Sequence, residues 1–232
     1  MPGSDDHGWL RRISPQVNFL WRGWFTPRYV EPLRRIYDHE LVIVEHGACT
    51  VTIAGVEHFL DAGSFLVVPP GTEHVTVAGE EQVLRTCVHF DWEWVHDQPP
   101  LPMWTYAPAK ASTRLVRPAP AWVPRGELGG RISEPPEIGR LIEALLRRWG
   151  DPQLQPSARA LFLELLVRLI ACQPAIGSPL PGRQALAAAV REALDRSLAE
   201  PVSVQDLLSG FDCTYEHANR TFKAVFGLTP VR

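Results

Sequence analysis

The sequence lacks any pair of cysteines at close spacing. Cys49, Cys87, Cys172 and Cys213 lie far apart and form no C-x-x-C. That argues against a zinc ribbon and against a disulfide framework. No apolar run is long enough to cross a bilayer as a helix. The first twelve residues are polar and lack the apolar stretch of a secretory signal. Reduced thiols in a cytoplasm are therefore the expectation. Neither sign of charge dominates. With 26 acidic against 23 basic side chains, the formal net charge is −3, which excludes a chain-wide basic footprint for nucleic acid. There is no low-complexity tract, and 45% hydrophobic with 21% charged residues excludes wholesale disorder. The 232 residues allow one large domain or two smaller ones.

What is present divides by period. Residues 17 to 90 hold short runs rich in β-branched residues: Val42–Val44, Val51–Ile53, Phe65–Val68, Val75–Val77 and Val83–Phe90. Gly47, Gly55, Gly63, Gly71 and Gly79 punctuate them every eight residues. This pattern predicts an antiparallel sandwich or barrel. Proline dominates residues 99 to 136, which read as irregular connection with one or two edge strands. The period then becomes helical. Ile138, Leu141, Ile142, Leu145, Leu146 and Trp149 mark one helix. Leu161, Leu165, Val167, Leu169 and Ile170 mark a second, starting near Ser157 after Pro156. The turn Gly150-Asp151-Pro152 makes them a helical hairpin. Residues 173 to 184, with three prolines and two glycines, read as a linker. Ala185–Leu198 is a further helix. Ser203 caps another, and Thr214 caps a third that Gly227 ends.

Two motifs carry the functional argument. Gly63, Pro69, Gly71 and His74 fit G-x5-P-x-G-x2-H, and Glu40 with Gly47 fits E-x6-G. Residues from about 17 to 95 therefore resemble a cupin barrel. The second motif is in residues 203–230, two short helices around a tight turn, which reads as a helix-turn-helix. Val204, Leu207, Leu208, Thr214, Phe222-Lys223 and the ending Gly227-Leu-Thr-Pro230 resemble the AraC/XylS family of transcription regulators. That family orders a cupin sensor, a dimerising helical hairpin, a linker and two helix-turn-helix units. This sequence is similar to it in the same order up to the first unit.

The resemblance implies a fold class that is mainly β: a cupin-type barrel (double-stranded β-helix), then an α-helical hairpin and a partial all-α helix-turn-helix domain. It divides the chain into a ligand-sensing barrel with an N-terminal arm at 1–136, a hairpin for dimerisation at 137–172, a linker at 173–184 and an incomplete DNA-binding domain at 185–232. The chain stops at Arg232, before the second unit of the family pattern. Between Ala185 and Arg232 stand five basic residues (Arg191, Arg196, Arg220, Lys223, Arg232) and six acidic ones (Glu192, Asp195, Glu200, Asp206, Asp212, Glu216). Weak phosphate attraction leads us to expect double-stranded DNA as a partner of a complete form only.

Metal-binding cupins take ligands from an H-x-H pair before the glutamate. The matching positions here, around Arg34 to Ile36, hold no histidine. Glu40 and His74 alone match, and two protein ligands are fewer than the usual three. We therefore expect no metal, no cofactor and no catalytic residue. A metal-free barrel can still hold a small ligand. On the strand Val83–His89, one face carries Val83, Arg85, Cys87 and His89, the other Leu84, Thr86 and Val88. Alternation gives the two faces but not which one is inward. If the first is inward, Arg34, Glu40, His74, Arg85 and His89 converge as polar groups in an apolar cavity. Trp92 adds an aromatic face able to stack on a sugar. On the predicted recognition helix, Thr214, Glu216, His217, Asn219, Arg220 and Lys223 are the candidate DNA contacts.

The resulting expectation is a homodimeric regulator that senses a small molecule, a sugar or other carbon source, and controls DNA binding. A metal-dependent cupin isomerase or dioxygenase with a helical appendage is the alternative. A third reading is a dimerising protein whose helix-turn-helix contacts only other proteins.

Overall fold

The structure is a computed structural model of the chain. It describes residues 8–94, 112–124 and 128–171 and, beyond them, only Ala187, Val190, Arg191, Asn219, Phe222 and Lys223. The chain forms two compact units, 1–176 and 177–232.

The first unit is built on nine strands. They are β1 (Gln16–Phe25), β2 (Val30–Arg34), β3 (His39–His46), β4 (Ala48–Ile53), β5 (Val56–Asp61), β6 (Ser64–Val68), β7 (His74–Ala78), β8 (Val83–Asp91) and β9 (Leu128–Arg131). A five-stranded sheet runs β1-β8-β3-β6-β9 and a four-stranded sheet runs β2-β7-β4-β5. All pairings are antiparallel. This agrees with a mainly β, cupin-like barrel. The β-branched runs of the sequence become β3, β4, β6, β7 and β8, and the proline-rich connection contributes the edge strand β9.

Two helices follow, α1 (Pro135–Arg148) and α2 (Gln155–Ala171). Pro135 and Pro136 open α1, where a missing N–H costs nothing. For the same reason Pro156 sits inside the first turn of α2 and does not precede it. Ile138, Ile142 and Leu145 of α1 and Phe162, Leu165, Leu166 and Leu169 of α2 are buried. They pack on Leu41, Ile43, Phe65, Val88 and Phe90 of the five-stranded sheet. Phe162 meets Phe90 edge-on, with ring centroids 5.2 Å apart. The face of the hairpin that the helical period marks thus covers its own barrel.

Alternation places the other side chains of the same strands inside. Val42 and Val44 of β3, Leu66 and Val68 of β6, and Val83 and Cys87 of β8 meet Cys49, Val51, Leu60 and Ala78 of the four-stranded sheet. Both faces of the five-stranded sheet are therefore buried. At the β3–β4 turn Gly47 adopts φ +71°, and a Cβ there would lie 2.3 Å from the Gln82 carbonyl oxygen; only glycine fits.

In the second unit the six described residues are helical. Ala187 and Val190 are fully buried. Phe222 is buried, Asn219 half-buried and Lys223 exposed. The linker 173–184 and the positions Thr214, Glu216, His217 and Arg220 lie outside the described residues. No helix among the described residues is long and apolar enough to cross a membrane.

Candidate functional site

The cross-strand register brings five of the predicted ligand residues together. Glu40 of β3 is directly opposite His89 of β8. Arg34 of β2 is directly opposite His74 of β7. These pairs belong to different sheets and face each other across the barrel. Val44 is opposite Arg85, which fixes Arg85 on the inner face two steps from His89. The Arg85 face of β8 is thus the inward one. Thr86 turns outward and donates to Glu45 (2.6 Å). Val88 and Phe90 turn outward to the helices.

Inside, the charges form a chain. Arg85 donates to Glu31 Oε2 (2.7 Å). Arg34 Nη2 is 2.9 Å from the same oxygen and 3.3 Å from Glu40 Oε2. His74 Nε2 is 3.6 Å from Glu40 Oε2. Its Nδ1 lies 3.1 Å from the Thr72 carbonyl oxygen, so Nδ1 donates to the turn and Nε2 is left facing Glu40. Burial alone would raise the Glu40 carboxyl. Arg34, His74, His89 and Arg85 outweigh it and hold the group well below the usual carboxylate range. Burial likewise opposes charge on His89. The hydrogen bond with Asp38 (2.9 Å) and the Glu40 charge carry its pKa above the ordinary value. Burial pushes the Cys87 thiol well up and Cys49 to about 11, so both inward thiols stay protonated and inert at neutral pH.

A second polar line runs outward from His89. Asn18 donates to Asp38 (2.8 Å) and to Asp91 (2.9 Å), and Arg117 donates to Asp91 (2.7 Å). Burial raises the Asp91 carboxyl although Asn18 and Arg117 oppose it. Glu31, Asp38 and Asn18 were not among the sequence candidates.

Trp92 does not join the group. It is 1% exposed and lies on the outer side of the sheet, edge-on to Phe90 (4.8 Å) and His39 (5.7 Å). The reason is parity: three residues after an inward His89, a strand side chain points out. His39, next to Glu40, lies on that outer side as well. Burial lowers its pKa to about 4.

Two cavities adjoin these residues. One, of about 10 Å³, lies at the barrel end between Phe25, Tyr29, Glu31, Thr76, Val83 and Arg85, with Cys49 and Ala78. Val42, Val44, Val51, Leu66, Val68 and Cys87 pack together between the two sheets. The other is a cleft of about 670 Å³ outside the barrel, where His39, His58, Val67, Trp92 and Leu128 face the segment 119–124. Among the described residues no three His, Cys, Asp or Glu side chains group as metal ligands. At the place where metal-binding cupins supply histidine, Arg34 brings a cation to Glu40.

No curated protein matches the chain. Oxalate decarboxylase from Bacillus subtilis is similar at 20% identity over 34% of this chain and 22% of that one, with a TM-score of 0.29. Vicilin from Corylus avellana (hazelnut) is similar at 15% identity over 31% and 23%, with a TM-score of 0.28. A conserved protein of unknown function from Streptococcus pyogenes is similar at 17% identity over 30% and 61%, with a TM-score of 0.29. The chain thus spans 22% of the length of the oxalate decarboxylase. The sequence profile of the AraC-like ligand binding domain matches residues 26–171. That match takes in the strands β2 to β9 and both helices, more than half of the chain, and so the chain belongs to the AraC-like ligand binding domain family.

Proposed function

We propose that this chain is the sensor part of a ligand-responsive transcription regulator, with the effector held by the charged cluster inside the barrel. One observation carries the reading. Side chains from β2, β3, β7 and β8 converge as Arg34, Glu40, His74, Arg85 and His89, all buried, on an otherwise apolar interior. A few convergent polar groups in an apolar enclosure are what a specific small-molecule site requires. Burying this many charges also brings little net stability, which favours a binding role over a structural one. The effector is a small polar molecule, the class to which the sugar expected from the sequence belongs.

In the same reading, residues 185–232 form a helix-turn-helix that contacts DNA through Thr214, Glu216, His217, Asn219, Arg220 and Lys223. Two copies pair through the hairpin 137–172. The effector biases two arrangements of the dimer, which requires unequal affinity for them. The barrel cluster binds and does not catalyse.

The cleft beside Trp92 supports a second reading. Its volume is in the range of ligand pockets, and the buried His39 Nδ1 and Trp92 Nε1 have no hydrogen-bond partner among the described residues. A thermal-shift screen of the purified chain against sugars and other small polar molecules separates the two. An effector of the barrel loses its stabilising action in Arg85→Ala and His74→Ala and keeps it in Trp92→Phe. An effector of the cleft does the reverse.

A further inference from the structure

We propose that the effector is a small monocarboxylate and that Glu31 is a built-in competitor, occupying the place between Arg34 and Arg85 that the effector's carboxylate takes. This rests on the barrel cluster being the effector site.

Arg34 and Arg85 are almost completely buried, and their anionic neighbours inside are Glu31 and Glu40. One Glu31 oxygen serves both guanidiniums, at 2.9 and 2.7 Å. Arg34 has Glu40 as a second partner. Arg85 has Glu31, and otherwise the face of the Phe25 ring at 4.5 Å. A neutral ligand that moved Glu31 aside would leave a buried guanidinium without an anion, which is strongly unfavourable. A carboxylate would leave the internal charge unchanged.

The unfilled hydrogen-bonding positions ask for the same chemistry. Arg34 Nη1, Arg85 Nε and Arg85 Nη1 are buried and have no partner among the described residues. These three are donors with no acceptor capacity; the Thr76 hydroxyl and His74 Nε2, also without a hydrogen-bond partner among the described residues, add groups that can donate to a ligand oxygen. A carboxylate accepts from the guanidinium fork in two parallel bonds. Glu31, tethered through β2, offers one oxygen to Nη2 of each arginine and leaves these atoms unpaired.

Glu31 is also the member of the cluster with a way out. Its side chain is 19% exposed, against 4% or less for Arg34, Glu40, His74 and Arg85. It sits on β2, which among the described residues is an edge strand paired with β7. The register there breaks between Glu31 and Arg34, across Pro32, whose ring donates nothing to the ladder. With Glu31 in place the adjoining cavity of about 10 Å³ admits no effector. With Glu31 turned outward, its volume joins that cavity, and Phe25 and Tyr29 form an aromatic wall for the apolar body of the ligand.

The test is calorimetric titration and thermal shift on the full chain at constant ionic strength. The probes are sodium acetate, butyrate and phenylacetate, with butyramide and D-glucose as neutral counterparts. The proposal expects the carboxylates to raise the melting temperature of the unmodified chain and butyramide to be silent. It expects a Kd at least tenfold lower in Glu31→Gln, which keeps the shape and removes the competing charge, and no binding in Arg85→Gln. Arg85→Lys, which keeps the cation and loses the fork, is expected to bind at least tenfold more weakly than the unmodified chain. Equal affinity for the unmodified chain and Glu31→Gln overturns the proposal, as does equal binding of butyramide and butyrate. If D-glucose stabilises the chain and Arg85→Gln abolishes that effect, the carboxylate assignment fails while the sensor reading stands. If no probe of either class acts on any of these proteins, both fail.

Discussion

Arg34 on one sheet reaches Glu40 on the other at 3.3 Å, and this buried ion pair ties the two sheets of the barrel together. Both side chains are all but inaccessible. Removing one partner of such a pair leaves a charge in a medium that solvates it poorly. We expect Glu40→Ala to lose about 3–5 kcal/mol of unfolding free energy, read from urea melts at pH 7. A loss below about 1 kcal/mol contradicts the buried pair.

Trp92 belongs to the contact between barrel and helices. Trp92→Ala is expected to cost about 3–5 kcal/mol while the barrel strands keep their arrangement. The milder Trp92→Phe keeps most of the packing and should leave effector affinity in the barrel unchanged. Calorimetric titration of the Phe variant checks this.

His39 makes stability depend on pH. Its folded pKa of about 4 is below the unfolded value of 6.5. The unfolded chain therefore takes up a proton first as pH falls, and stability is lost between about pH 6.5 and 4. Between pH 7 and 5 the loss from this group alone is about 2 kcal/mol. His89, raised above 6.5, acts in the opposite sense. Its stabilising contribution is fully present below pH 6.5 and disappears as pH rises through the folded pKa. Denaturant melts at the two pH values should show His39→Gln losing about 2 kcal/mol less than the unmodified chain. An unchanged pH dependence in the variant contradicts a neutral, desolvated His39.

The metal-enzyme alternative makes a separate prediction. Glu40 and His74 are the only sequence matches to cupin ligands, and Glu40 already has the Arg34 cation. We expect substoichiometric iron, manganese and zinc in the purified chain and a melting temperature that a chelator does not move. Near-stoichiometric metal, lost in Glu40→Ala and His74→Ala, would overturn the metal-free sensor.

Much of the barrel was legible because its central strands are dense in valine, isoleucine and leucine, and glycine marks their turns. β5 was not, since Val56-Glu-His-Phe-Leu-Asp61 has little β-branched character. Its pairing is set instead by the turn at Ala54 and Gly55, both at positive φ. The inward face of β8 was illegible for a different reason: helices cover its outer face, so Arg85 and Val88 are both buried. Once Arg85 and His89 are known to point in, parity alone puts Trp92 outside, a signal the sequence did contain. Glu31 left none. It and Arg34 are three residues apart, yet both enter the barrel because the register breaks across Pro32, and no alternation pattern anticipates that.

The central claim is that the effector binds inside the barrel. The most direct measurement is a thermal-shift titration of one stabilising small molecule against the unmodified chain, Arg85→Ala and Trp92→Phe in parallel. The account predicts that the stabilisation disappears in Arg85→Ala and is unchanged in Trp92→Phe. Stabilisation that survives in Arg85→Ala and disappears in Trp92→Phe would move the site to the outer cleft and contradict it.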